Sequence, residues 1–169
     1  MVTLTSLPGS LAQVESQPEV EPAKLGTITN VHRFEEIWLA GQPSADDFAL
    51  ARRLGFKTII NLRHDAELPT FNEKEIVELL GLNYFHLPFS GADELTSEIF
   101  DQARELLADS EQPTLLHCSS ANRVGALWLA LRVLDHDLSY EEALAEARMI
   151  GLRTPALEEK ARAYIESNR

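Results

Sequence analysis

Apolar residues in this chain follow two spacings, and the switch between them marks its elements. "EEIWLAGQPS" carries a short apolar run, Ile37 to Ala40, that reads as a strand closed by a Gly/Pro turn. "FKTIINLR", residues 56–63, is a dense β-like run, and "LNYFHLPF", residues 82–89, is a third strand ended at Pro88. "TLLHC", residues 114–118, follows Pro113 as a fourth. Between these runs the apolar positions recur at helical spacing. Ser44 caps a helix with Asp46 and Asp47 in its first turn and Gly55 at its end. Ile76, Val77, Leu79 and Leu80 share one face of a helix that Gly81 stops. Thr96 caps another, where Ile99, Ala103 and Leu106 align.

After the fourth strand the pattern changes. "VGALWLALRVLD" is apolar on nearly every side, the signature of a buried helix. Ser139 and Glu142 stand at capping-box spacing, and Thr154 with Pro155 opens the last helix. Strands alternating with helices, then helices alone, predict an α/β fold. Its central sheet is mostly parallel, with about 4–5 strands, and is flanked by helices.

A chain of 169 residues suits one domain with a core of its own, expected over residues 25–169. Residues 1–24 lack a basic n-region and a long apolar core, and read as a polar, Pro/Glu-containing flexible N-terminal arm, or as the remnant of an export signal, with "LPGSLAQ" as its tail. The first option puts the protein in the cytoplasm, the second in the periplasm. A net charge of -12 repels phosphate backbones, so no nucleic-acid partner is expected. No window approaches ~18 consecutive apolar residues, so no membrane partner is expected either. His32, His64, His86, His117 and His136 lack ligand spacing, which predicts no metal, and nothing in the pattern calls for a cofactor. The pattern sets no oligomeric state.

The chemistry concentrates in "HCSSANRVG". The fourth strand delivers Cys118, the one cysteine, to the carboxyl edge of the sheet, where open α/β folds place ligands. A helix is expected to begin near Arg123 or Val124, aiming its unpaired amides back into the loop. Ser119, Ser120 and Ala121 are small enough for the backbone to wrap tightly, and Asn122 tolerates a left-handed conformation before the helix. Arg123 offers a planar fork for two oxyanion oxygens, and His117 can orient the loop from the strand. Cys118 is thus either a thiolate nucleophile in an anion-binding loop or an inert buried thiol. Arg63 ends a strand on the same edge, where it binds an anionic substrate or pairs with Glu67. Gln42 either lines the pocket or serves its turn. Arg153 either reaches the active edge or lies on the surface. Trp38 and Trp128 read as core.

"HCSSANRVG" resembles the phosphate-binding loop of the cysteine-dependent protein tyrosine and dual-specificity phosphatases. "LAGQPS", "GFKTIINLR" followed by Glu67, and "YFHLPF" resemble the layout of one bacterial branch, the phosphatase-like domain of beta-lactamase-hydrolase-like proteins. The resemblance spans about residues 30–166. It implies a protein tyrosine phosphatase-like fold and a phosphoric monoester hydrolase acting on a phosphorylated small molecule or a phosphoprotein. It implies Cys118 as nucleophile, Arg123 as oxyanion clamp and Asp93 or Glu94, in "FSGADELT", as general acid. His117, Ser119, Ser120, Ala121, Asn122, Val124 and Arg63 would surround the phosphate. Asp65 is a further acid or a turn residue.

Three features depart from that family. Four residues separate Cys118 from Arg123, one fewer than usual, so the cradle loses a donor. Val124 stands where a hydroxyl residue helps the thiolate leave. Asp93 is closer to Cys118 in sequence than the dual-specificity pattern has it. A loop of this length also resembles that of rhodanese-like sulfurtransferases, whose cysteine carries a persulfide. A non-catalytic anion- or phospho-ligand-binding module is the third option.

Overall fold

In a computed structural model of the chain, which describes residues 18–68 and 70–169, the alternating segments assemble into one six-stranded sheet. The strands are β1 (Glu21–Pro22), β2 (His32–Phe34), β3 (Ile37–Ala40), β4 (Thr58–Asn61), β5 (Asn83–His86) and β6 (Thr114–His117). Their order is β1-β2-β3-β6-β4-β5. β3, β6, β4 and β5 run parallel, while β1 and β2 pair antiparallel at one edge. The helices are α1 (Ala45–Arg53), α2 (Glu73–Leu79), α3 (Ser97–Asp109), α4 (Asn122–Asp135), α5 (Tyr140–Ile150) and α6 (Pro155–Asn168), with a 3-10 turn at Asp65–Glu67.

Side-chain alternation along the buried strands divides the core in two. Ile59, Leu115 and Ala40 face α1 and α2, meeting Phe48, Ala51 and Val77. Ile60, Leu116 and Leu39 face the other way, toward Phe100, Trp128, Leu157 and Ile165 of α3, α4 and α6. The expected caps at Ser44, Thr96 and Ser139 all accept amide hydrogen bonds, the first and third as full capping boxes. Trp128 is fully buried, but Trp38 is only half-buried, under the Arg33 guanidinium. Among the described residues no helix is long and apolar enough to cross a membrane.

Two expectations need correction at the amino-terminal edge. The sheet has more strands than the hydrophobic pattern disclosed, because β1 and β2 are short and carry polar residues. The arm expected over residues 1–24 is also shorter on its folded side: Glu21 and Pro22 pair with Arg33 and His32, and Val20 is buried in the core. Residues 1–17, and with them the export-signal reading, lie outside the described residues.

α4 is buried from Arg123 to Val133, as its unbroken apolar run requires, and α5 and α6 cover it. Gly125 sets the spacing of α4 and α5. A Cβ there would lie 2.7 Å from the Ala147 carbonyl oxygen and 2.9 Å from the Leu152 Cβ. Gly125→Ala is therefore expected to lower unfolding stability by about 1–3 kcal/mol, an overpacking cost that urea titration measures. Wild-type stability in that variant would contradict this packing.

Candidate active site

β6 ends at His117, and Cys118 leads the loop that turns into α4. The parallel register sets this edge beside the ends of β3 and β4: Ala40 and Asn61 both pair with His117. Cys118 is almost fully buried, and its amide donates to the Ala40 carbonyl at 3.2 Å. The left-handed residue is Ala121 (φ 63°, ψ 7°), not Asn122 as expected, and α4 begins at Asn122. Asn122 has a different task. Its Oδ1 accepts from the amides of Arg153 and Thr154, and its Nδ2 donates to Thr154 Oγ1 at 2.8 Å. Thr154 Oγ1 thus accepts this bond rather than capping α6, where no side-chain cap forms.

The loop's polar groups are sorted by direction. Its carbonyls are occupied: Ser119 O accepts from the Gln42 amide, Ser120 O from Asn30 Nδ2, and Ala121 O from the Gly125 amide. Ala121 pairs back toward the end of β3 through a Gly41–Ser120 bridge, and the N–H groups of Ser119, Ser120 and Asn122 to Val124 donate to no protein acceptor among the described residues. A left-handed residue entering a helix makes a nest of such amides, and the α4 N-terminus adds its positive dipole end. The position beside Cys118 therefore favours an anion. Val124 and Ala121 have side chains buried in the core, so only their backbones face this task.

Arg123 closes the other side. It is 7% exposed, and its Nη1 and Nη2 each donate to a Glu67 carboxylate oxygen at 3.0 Å. Nη1 also donates to the carbonyls of Phe89, at 2.7 Å, and Leu62. This bidentate clamp fixes the guanidinium before any ligand arrives. It also corrects the expected Arg63–Glu67 ion pair, because the Glu67 carboxylate belongs to Arg123. Arg63 donates instead to the Glu67 carbonyl and, at 2.8 Å, to Gln42 Oε1, while its Nε is buried without a partner.

A buried polar chain backs the loop from the sheet side. His117 Nε2 lies 2.6 Å from Glu73 Oε1, both side chains being fully buried, and its Nδ1 lies 3.4 Å from the Cys118 carbonyl. Glu73 Oε2 accepts from Gln42 Nε2, which links the chain to Arg63. Gln42 thus bridges Glu73 and Arg63. The sequence carried no local sign of Glu67 and Glu73 in these roles.

The segment after β5 forms the outer lip. Its Phe89 carbonyl binds Arg123, and its turn at Gly91–Leu95 carries both candidate acids. Glu94 is committed: its carboxylate accepts from the Ser90 amide and meets His64 Nε2 at 2.6 Å. The His64 contact first, then the Ser90 amide, hold Glu94 below the usual carboxylate range. Asp93 is exposed, with no hydrogen-bond partner among the described residues. Asp65 is an exposed turn residue, 3.9 Å from His86.

Glu67 gives a pH prediction. The Arg123 hydrogen bonds, followed by the His64 amide, hold its carboxyl below the usual carboxylate range even though partial burial opposes this. A carboxyl whose folded value is depressed adds stability above its unfolded value, and that stability is lost as pH falls through the folded value. Wild type should therefore lose stability from about pH 6 to about pH 3 more steeply than Glu67→Gln does. Chemical denaturation across that range measures the slopes, and parallel slopes would contradict the assignment.

Comparison with known proteins gives the following. Residues 31–134 match the family described as Beta-lactamase hydrolase-like protein, phosphatase-like domain. The Beta-lactamase hydrolase-like protein of Agrobacterium fabrum is 32% identical over 105 residues, covering 60% of this chain and 24% of its own length. The chain thus spans about a quarter of the length of the curated relatives it matches. Among solved structures, P. aeruginosa TpbA, as a Cys-to-Ser variant in complex with pTyr, superposes with a TM-score of 0.68 at 22% identity, covering 89% of this chain and 90% of that one. The core catalytic domain of the PP-IP phosphatase SIW14 from S. cerevisiae, in complex with citrate, gives 0.69 at 24% identity, covering 80% and 85%. At these identities the likeness is one of fold.

Proposed function

The chain belongs to the phosphatase-like domain family of the beta-lactamase hydrolase-like proteins, and we propose from that premise that it is a cysteine-dependent phosphatase hydrolysing phosphate monoesters. One observation carries the proposal. The carbonyls of residues 119 to 121 are bound outward while the amides of Ser119, Ser120 and Asn122 to Val124 keep no protein acceptor, beside a clamped arginine. That arrangement suits a phosphoryl group, whose transition state spreads charge over its equatorial oxygens.

In the first step the Cys118 thiolate attacks phosphorus and the bond to the leaving oxygen breaks. Asp93 gives its proton to that oxygen. Asp93 takes this role over Glu94, whose carboxylate is already engaged by His64 and the Ser90 amide. In the second step Asp93 draws a proton from water, the water oxygen bonds to phosphorus, and the sulfur–phosphorus bond breaks to return the thiolate. Arg123 and the loop amides hold the phosphoryl oxygens throughout, and Glu67 is a positioning residue acting through Arg123. Val124 offers no hydroxyl to the departing thiolate, so the second step is the slow one and a burst of product is expected. The substrate is a phosphorylated small molecule or a phosphoprotein; of the structural neighbours, one is in complex with pTyr and one is described as a PP-IP phosphatase.

Hydrolysis of para-nitrophenyl phosphate and phenyl phosphate tests the reading. Both should turn over. Asp93→Asn should slow phenyl phosphate by about 10²-fold and the better leaving group much less, since protonation matters most for a poor one. Equal losses would remove Asp93 as the acid. No hydrolysis of either by wild type, with sulfur transfer from thiosulfate to cyanide, would move the chain to the sulfurtransferase reading. Silence in both assays would leave an anion-binding module.

A further inference from the structure

Arg153 lies outside the Cys118–Arg123 loop, yet its Nη2 donates to Ser120 Oγ at 2.6 Å and its Nη1 to the Gly151 carbonyl. Its backbone is held in place. The Arg153 and Thr154 amides both bind Asn122 Oδ1, and Gly151, at φ +150°, lies so close that a Cβ would approach the Ser120 carbonyl oxygen to 3.0 Å. The residue is exposed, so its charge stands at the mouth of the loop, anchored to the first residue of α4.

In this acidic chain Arg33, Arg104, Arg123, Arg132, Arg148 and Arg162 are each balanced by a carboxylate. Arg52, Arg63 and Arg153, among the described residues, meet neutral acceptors, and of these three Arg153 bonds the Ser120 side chain of the loop. A serine hydroxyl is a weak acceptor for a guanidinium, and a phosphoryl oxygen is a stronger one that can replace it. The chain's net charge of -12 repels anions in general, so a local cation at this mouth is what offsets that repulsion for an anionic ligand.

We propose that Arg153 is a second anion site, and that the preferred substrate carries a second phosphoryl group on the atom next to the one bearing the scissile phosphate. The scissile group sits in the amide nest with Arg123. The neighbouring group takes the Arg153 fork, displacing Ser120 Oγ. The inference rests on the phosphatase reading for the scissile group, but Arg153 itself acts by binding.

The test compares phenyl phosphate with 1,2-phenylene bis(phosphate), first by calorimetric binding to the Cys118→Ser protein and then by turnover. The Cys118→Ser protein should bind the bisphosphate about ten-fold tighter or more, and adding Arg153→Ala should reduce that ratio to within about two-fold. Arg153→Lys, which keeps the charge and loses the fork, should give an intermediate ratio. In the enzyme with Cys118 intact, the same ratios should appear in KM more than in kcat. A ratio near one in wild type, or one unmoved by Arg153→Ala, overturns the inference while leaving phosphatase turnover standing. A persisting ratio without any turnover supports the second site and removes the phosphatase. Failure of the Cys118→Ser protein to bind either compound overturns both.

Discussion

Cys118→Ser is expected to abolish phosphate-ester turnover, by about 10³-fold or more, while leaving the fold intact. Serine keeps the shape of the side chain, which is almost fully buried between β6 and α4, so little packing is lost. What disappears is the nucleophile. A serine hydroxyl is a far weaker nucleophile toward phosphorus than a cysteine thiolate. The variant should keep phosphate binding, because the amides of Ser119, Ser120 and Asn122 to Val124 and the Arg123 side chain remain. Turnover by the serine variant near the wild-type rate would mean that Cys118 is structural.

Arg123→Lys is expected to lower kcat by about 10²–10³-fold and also to destabilise the fold. The guanidinium makes four hydrogen bonds at once, two to Glu67 and one each to the carbonyls of Phe89 and Leu62. Lysine has one nitrogen and cannot hold both carboxylate oxygens while facing the loop. Glu67 and the Phe89 carbonyl would lose partners, at a cost of about 1–3 kcal/mol, so the unfolding midpoint should fall as well. Glu67→Gln provides the control. It leaves Arg123 in place but loosens its aim, and should reduce kcat by a smaller factor than Arg123→Lys does. Equal kinetics for Arg123→Lys and wild type would show that the fork plays no part.

Much of this architecture can be read from the chain, and the reasons are local. The caps at Ser44, Thr96 and Ser139 are read from side chains that bond an amide three residues on, so sequence and structure share one unit of information. The unbroken apolar run of α4 announces its burial in the same way. β1 and β2 escape because an antiparallel edge of two or three residues, with Pro22 and His32 in it, has no periodicity long enough to register. Within the site, the Cys118–Arg123 segment is legible because its chemistry is contiguous. Glu67 and Glu73 are not, since they meet Arg123 and His117 across separations of 56 and 44 residues that only the sheet register brings together. Asn122 shows the limit of residue-type rules. Its tolerance of left-handed backbone suggested one role, and its side-chain bridge to Arg153 and Thr154 takes it to another, leaving Ala121 at positive φ.

The most direct measurement is the intact mass of the protein, quenched in acid during turnover of para-nitrophenyl phosphate and then digested to locate the modification. The slow breakdown expected from Val124 should let the covalent species accumulate. The account predicts a phosphoryl group on the peptide containing Cys118, present in wild type, absent from Cys118→Ser, and formed at the rate of the product burst. An unmodified Cys118 under steady turnover, or added sulfur there after thiosulfate with no phosphoryl adduct, would contradict it.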